Sequence, residues 1–371
     1  MKFSLLYELQ KKKPWTATAN EDVYYEAIEQ IVLADKVGFN KVWCVEHHFL
    51  PEFSHSPRSE MFLAHVAAKT ERIRIGQGVV LLPFQHPVKV AEGIAVLDIL
   101  SHGRVEFGTG RGLSPLEMTG FGISPADTRG MWEESLSIVP KMWSEEIFAH
   151  EGQYWQIPPR SIVPKPVQKP HPPIWMAGNQ PDSFKMAGHK GLGMLALSIG
   201  EPARLGGAFN IYREALKEAE PVGDFVNDQC AAFTLGLCGD DNQEARTLAA
   251  DAAKWYYGLN REFARDFAST WGSAANVPES YKYYARLAEK GVDIKSTIYP
   301  LSADEMADQA MIVSGDPESC IRAVKRYEET GADELIICMQ MGNIPHEKIM
   351  RSIELFASEV MPKFADKVAV A

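Results

Sequence analysis

Along this chain, short runs that are apolar throughout alternate with longer stretches in which apolar residues recur at helical spacing. Phe3 to Tyr7, Lys41 to Val45, Ile73 to Leu82, Val105 to Phe107, Ile174 to Ala177, Met194 to Leu197, Gln229 to Leu237 and Glu334 to Cys338 read as strands. Helical patterns lie between them over Glu21 to Val37, Ser59 to Ala68, Val88 to Leu100, Trp132 to Trp143, Ser183 to His189 and Glu244 to Tyr257, and a further helix opens at Asp316. Gly38 supplies the stop for the first of these helices. Strands without polar alternation are those buried on both faces, which is the habit of parallel sheets covered by helices.

Strand followed by helix, repeated through the chain, predicts an α/β fold: a (β/α)8 TIM-type barrel, with its site on the loops at the carboxyl ends of the strands. A doubly wound open sheet is the rival. It would carry G-x-G-x-x-G after its first strand, whereas the nearest match here, GTGRGL (108–113), follows the fourth strand and lacks the third glycine. One stretch breaks the repeat: residues 259–309 hold Phe263, Phe267, Trp271, Tyr281, Tyr283 and Tyr284. It reads as an insertion after strand 7, either a lid over the site or extra helices on the barrel wall. With no linker or internal repeat, residues 1–371 form one expected domain.

The chain's 371 residues, 46% hydrophobic and 23% charged, suffice for a large core. A formal charge of −11 and the lack of a basic stripe argue against nucleic acid. The N-terminal MKFSLLYELQKKK lacks a signal h-region and no apolar stretch spans a bilayer, so a cytoplasmic protein off the membrane is expected. Cys44, Cys230, Cys238, Cys320 and Cys338 are odd in number, contain no C-x-x-C pair and suggest buried reduced thiols.

Four strand tips carry the chemistry: VWCVEHHF (42–49), IRIGQGVVLLP (73–83), GRVEFGTGRG (103–112) and PPIWMAGN (172–179). Arg111 sits among Gly108, Gly110 and Gly112, where exposed amides and a guanidinium suit a phosphate; a structural ion pair is the other use. The turn 177–183, with Asn179, Gln180 and Ser183, opens a helix whose first turn attracts anions, or is simply capped by Asp182 or Asn179. His47 and His48 should point to opposite sides, so at most one enters the mouth. Neither a metal-binding spacing nor a nucleophile elbow is found.

In order and combination, EHHF, GQGVVLLPFQHP, SHGRVEFGTGRGL and the PPIWMAG turn resemble the bacterial luciferase-like flavin monooxygenases, from the first strand to the last helix. The resemblance implies an FMNH2- and O2-dependent monooxygenase, with reduced FMN supplied by a separate flavin reductase, acting on a small apolar organic substrate through a flavin hydroperoxide. It matches His47 to the catalytic histidine, and Arg111 to the flavin phosphate site with the Leu113 backbone nearby. Asn179, Gln180 and Ser183 match phosphate-side positions, although the family puts an acid and a serine at the first two. Gly78-Val79 falls where the family holds a non-proline cis peptide against the flavin; an ordinary bulge glycine is the alternative. Gly110 stands where luciferase α-type chains carry a reactive cysteine, and Leu197-Ser198 depart from their serine–tryptophan pair, which argues against light emission. A homodimer through helices two and three is implied. An F420-dependent oxidoreductase and a non-catalytic flavin-binding barrel remain as alternative readings.

Overall fold

The computed structural model describes residues 1–197, 200–271, 281 and 298–365. In chain order its strands are β1 (Lys2–Tyr7), β2 (Lys41–Cys44), β3 (Arg74–Leu81), β4 (Val105–Gly110), β5 (Phe148–Glu151), β6 (Gln156–Arg160), β7 (Ile174–Gly178), β8 (Gly193–Leu197), β9 (Cys230–Cys238), β10 (Ile312–Gly315) and β11 (Glu334–Cys338). The α-helices are α1 (Ala19–Val37), α2 (Ser59–Lys69), α3 (Pro87–Leu100), α4 (Pro115–Gly120), α5 (Thr128–Ser144), α6 (Pro181–His189), α7 (Ala203–Leu216), α8 (Asn242–Trp271), α9 (Ala303–Asp308), α10 (Pro317–Glu328) and α11 (His346–Leu355).

Eight parallel strands close the barrel in the order β1, β2, β3, β4, β7, β8, β9, β11, with β11 back on β1. This is the (β/α)8 fold, and its eight strands are those read from the apolar runs. Period-two alternation sends Val42 and Cys44 outward against the helices and Trp43 inward; Leu335 and Ile337 likewise face out around an inward Ile336.

The barrel interior is layered. At its lower end Lys41, 1% exposed, pairs with the fully buried Glu334, which also accepts the Trp43 indole N–H at 3.1 Å. Across from them Glu106 takes Arg74 and the Trp175 indole N–H, the latter at 2.6 Å. Trp43 and Trp175 meet edge-to-face at 5.4 Å above this ionic layer, and Lys41 Nζ lies 4.7 Å from the Trp175 ring. Each charge is thus matched before it is buried. The indole of Trp43 fills the space over Gly76, where a Cβ would come within 2.3 Å of it. Above the indoles the barrel opens.

Three features differ from the sequence-based pattern. The Glu244–Tyr257 helix is the start of a longer one that runs to Trp271, so the first part of the 259–309 insertion is helical. Residues 272–280 and 282–297 of that insertion lie outside the described residues. Before the Pro-rich approach to β7 an antiparallel hairpin, β5–β6, appears where no strand was read; it is too short and too polar to show a period. An extra strand, β10, pairs with the last four residues of β9 beyond the point where β8 stops.

Candidate functional site

At the carboxyl end of the barrel lies a cavity of about 870 Å3, in the range of cofactor and small-ligand sites. His47, Gly78, Val79, Gly110, Arg111, Leu113, Asn179, Gln180 and Ser183 all line it. The strand tips named from sequence therefore do converge.

His47 follows β2 on the strand's way out of the barrel. Its Nδ1 is 3.1 Å from Glu117 Oε1, and its ring packs edge-to-face on Phe53 at 5.2 Å. Glu117, on α4, is fully buried, lines the cavity, and receives the His48 backbone N–H on the same oxygen at 2.8 Å; its Oε2 has no hydrogen-bond partner among the described residues. An ionised Glu117 fixes the proton on Nδ1 and leaves Nε2 for the cavity. Burial lowers the His47 pKa, but the charge and hydrogen bond of Glu117, helped by Glu8 and Glu46, hold it above its ordinary value.

His48 points the other way, as alternation requires. Its Nε2 meets Glu46 Oε1 at 3.1 Å and its ring joins Phe121 at 4.7 Å. Glu46 Oε2 accepts the Leu81 N–H at 3.0 Å and the Gln85 amide at 2.8 Å. This carboxylate ties the tip of β2 to that of β3, just past Gly78-Val79. That peptide bond is cis, and the β3–β4 register shifts there.

Glycines on β4 let β3 and the cavity contents approach. A Cβ on Gly108 would lie 2.0 Å from the Gln77 carbonyl oxygen, and one on Gly110 would lie 2.5 Å from Val79 Cγ2. Gly112 has φ +85°, so the chain turns left-handed directly after Arg111. The Arg111 guanidinium lies 4.0 Å from the ring centroid of Tyr281. Tyr281 in turn donates to Gly112 O at 3.1 Å and lies 2.9 Å from Thr128 Oγ1, which anchors one point of the insertion beside Arg111. The buried Ser114 hydroxyl lines the cavity with no hydrogen-bond partner among the described residues.

Across from Arg111, Gln180 is the N-cap of α6, with extended backbone (φ −114°, ψ 149°) and no side-chain cap bond. Capping by Asp182 or Asn179 is therefore not what this turn does. Pro181 contributes no N–H, and the Ser183 and Phe184 amides return to Gln180 O at 2.9 and 3.2 Å. The helix start thus has fewer unbonded amides than the sequence suggested. Gly178 lets Ser183 pack close, since a Cβ there would be 2.5 Å from Ser183 Cβ.

Sequence reasoning missed Glu8, Glu117 and Tyr256. Glu8 lies one residue past β1, 4% exposed, and lines the cavity. Burial pushes its carboxyl up to about 7 against the pull of His47 and of hydrogen bonds from Tyr256 and Gln10. A single acid at the end of an apolar run was the available signal. No group of three or more metal-ligating side chains occurs among the described residues, and no helix there is long and apolar enough to cross a membrane.

Fold and site together define a barrel enzyme with a cofactor-sized cavity, a cationic edge and a histidine held by acids. Residues 1–334 match the family model described as luciferase-like monooxygenase, and the chain belongs to that family. It is 33% identical to limonene 1,2-monooxygenase of Rhodococcus erythropolis, over 95% of this chain and 84% of that one. It is 26% identical to the oxygenase component of the flavin-dependent trigonelline monooxygenase of Acinetobacter baylyi (99% and 96% covered), and 25% identical to an F420-dependent glucose-6-phosphate dehydrogenase of Amycolatopsis mediterranei (95% and 98%). Among solved structures, monooxygenase RslO1 from Streptomyces bottropensis superposes with a TM-score of 0.79 at 26% identity, covering 98% of this chain and all of that one.

Proposed function

We propose that this protein is the oxygenase of a two-component system, using reduced FMN from a separate flavin reductase, and O2, to oxygenate a small apolar organic molecule. One observation carries the reading: Arg111 and the 177–183 turn share a cavity with His47, with the glycine edge of β3 and β4 also on its wall. The residues suit FMN. Arg111, Ser114, Gln180 and Ser183 are the groups to hold its phosphate, and the Gly78-Val79 edge, kept open by Gly110, is the surface for its ring.

Reduced flavin, when bound, would supply the two electrons that activate O2, and O2 itself the oxygen atom transferred, its other atom leaving as water. The protein supplies the rest. In its doubly protonated form, which Glu117 at Nδ1 favours, His47 can offer a proton from Nε2, and the apolar walls of Val79, Leu195 and Phe233 exclude water. Tyr281 brings one point of the insertion to the Arg111 edge. Exposed Met61 on α2 and Val96, Ile99 and Leu100 on α3 support the dimer expected through those helices.

The test is an anaerobic titration with FMNH2 and with F420H2, followed by admission of O2 and mass spectrometry of products from apolar substrates. Tighter binding of FMNH2 and an oxygenated product support the proposal. Preference for F420H2 replaces it with hydride transfer, and FMNH2 binding that yields only peroxide with every substrate replaces it with a flavin carrier.

A further inference from the structure

We propose that Glu8, in its protonated form, donates a hydrogen bond to an oxygen of the substrate, so that the substrate is an otherwise apolar molecule bearing a carbonyl or similar neutral acceptor. The inference rests on the oxygenase reading only in seating substrate in the same cavity, and it names the class that cavity takes.

Glu8 stands among apolar cavity walls: Leu6, Trp43, Phe53, Phe233 and Ile336. Both of its oxygens already receive donors. Tyr256 O–H gives to Oε1 at 2.7 Å, and Gln10 Nε2 gives to Oε2 at 3.2 Å. The Gln10 amide is oriented for this, since its Oε1 accepts the Gly342 N–H at 3.4 Å. With Tyr256 and Gln10 donating to it, a protonated Glu8 carboxyl has one O–H of its own to place, and Glu8 lines the cavity. An unmet donor facing apolar walls favours a ligand that brings an acceptor and disfavours the hydrocarbon of the same shape.

The backbone holds the acid in this place. Leu9, fully buried, takes a left-handed φ of 53°, a conformation costly for leucine and kept only where surrounding packing enforces it. The titratable groups facing Glu8 are His47 and Cys44 from β2 and its tip, Tyr256 from α8 and Cys338 from β11. His47 by its charge and Tyr256 by its hydrogen bond favour the ionised acid, and burial outweighs both, leaving the acid form populated near neutral pH.

The experiment measures binding of matched pairs, cyclohexanone with methylenecyclohexane and camphor with camphene, by headspace partitioning at pH 6 and pH 8.5. It uses the full chain with bound FMN, as wild type, Glu8→Gln and Glu8→Leu. The wild type is expected to prefer the ketone by about tenfold at pH 6, the worth of one hydrogen bond, and to lose that preference at pH 8.5. Glu8→Gln keeps a donor without a titration, so its preference persists at both pH values; Glu8→Leu has none at either. If Glu8→Leu does not fold, the contrast between wild type and Glu8→Gln still decides. Equal preference in Glu8→Leu, or no ketone preference by wild type in either pair, overturns the proposal. FMN affinity, read in the same samples, separates the two failures. A wild type that binds no FMN defeats the oxygenase reading, whereas one that binds FMN and ignores the carbonyl defeats only the role of Glu8.

Discussion

Two side chains, His47 and Arg111, stand on the same cavity with different supports. His47 depends on Glu117 for both tautomer and charge. Replacing Glu117 with Gln removes the carboxylate that raises the His47 pKa and leaves burial, which lowers it. The histidine resonance, followed by NMR against pH, is therefore expected to titrate lower than in wild type, and the alkaline limb of the rate profile to move with it. An unmoved titration contradicts the pairing. Arg111→Met removes the guanidinium from the anion end, and FMN affinity should fall by about ten- to a hundredfold, as loss of a charged hydrogen-bonding group does, with far-UV circular dichroism unchanged. At this scale the sequence was legible where a residue type is rare in its setting: an arginine among glycines, a histidine at a strand tip. Glu117 and Glu8 were not legible, because an acid near a strand end has many solvated uses, and only burial against the cavity distinguishes these two.

Elements fix how closely these groups can approach. The edge of β4 is open because Gly108 and Gly110 carry no side chain where β3 shifts register. Gly110→Ala sets a methyl against Val79 Cγ2, and overpacking of this kind costs about 1–3 kcal/mol. Thermal unfolding should show that loss, with weaker FMN binding, and Val79→Ala in the same chain should restore much of both. Failure of the second substitution to rescue the first would place the Gly110 requirement elsewhere. Barrel strands were read correctly because burial on both faces leaves an unbroken apolar run. The β5–β6 hairpin escaped because its four- and five-residue strands are mostly exposed, and α8 outran its expected end by continuing through Gly258, which a helix interior tolerates. The start of α6 shows a different limit. Sequence placed it at the anion site, yet Pro181 and the Gln180 carbonyl remove most of its first-turn donors.

Across the whole molecule, the ionic layer at the lower end of the barrel and the cavity at the upper end share one set of strands, separated by Trp43 and Trp175. Lys41→Met leaves Glu334 charged and buried, and chemical denaturation should report a loss of about 3–5 kcal/mol. A near-neutral result would mean that the layer does not hold the charges assigned to it. Glu8 makes stability depend on pH with a definite sign. Its carboxyl titrates at about 7 when folded against 4.5 ordinarily, so the unfolded chain gives up the proton first and stability falls as pH rises from 4.5 through 7. Glu8→Gln removes that fall, and relative to wild type should gain up to about 3 kcal/mol between pH 5 and pH 8 in urea unfolding; a difference independent of pH contradicts the buried acid. The barrel and its family were legible from strand tips in order, whereas the polar layer was not, since Lys41 and Glu334 look like solvated first residues of their strands, and Glu106 like a single polar interruption of one, until the barrel closes around them. The central claim is that Arg111, the β3–β4 glycine edge and His47 form a single flavin site. A crystal structure of the FMN complex tests it most directly: the phosphate should lie within hydrogen-bonding distance of Arg111 and the ring against Gly78-Val79 on the side of His47, and a phosphate seated away from Arg111, or a ring outside this cavity, would contradict it.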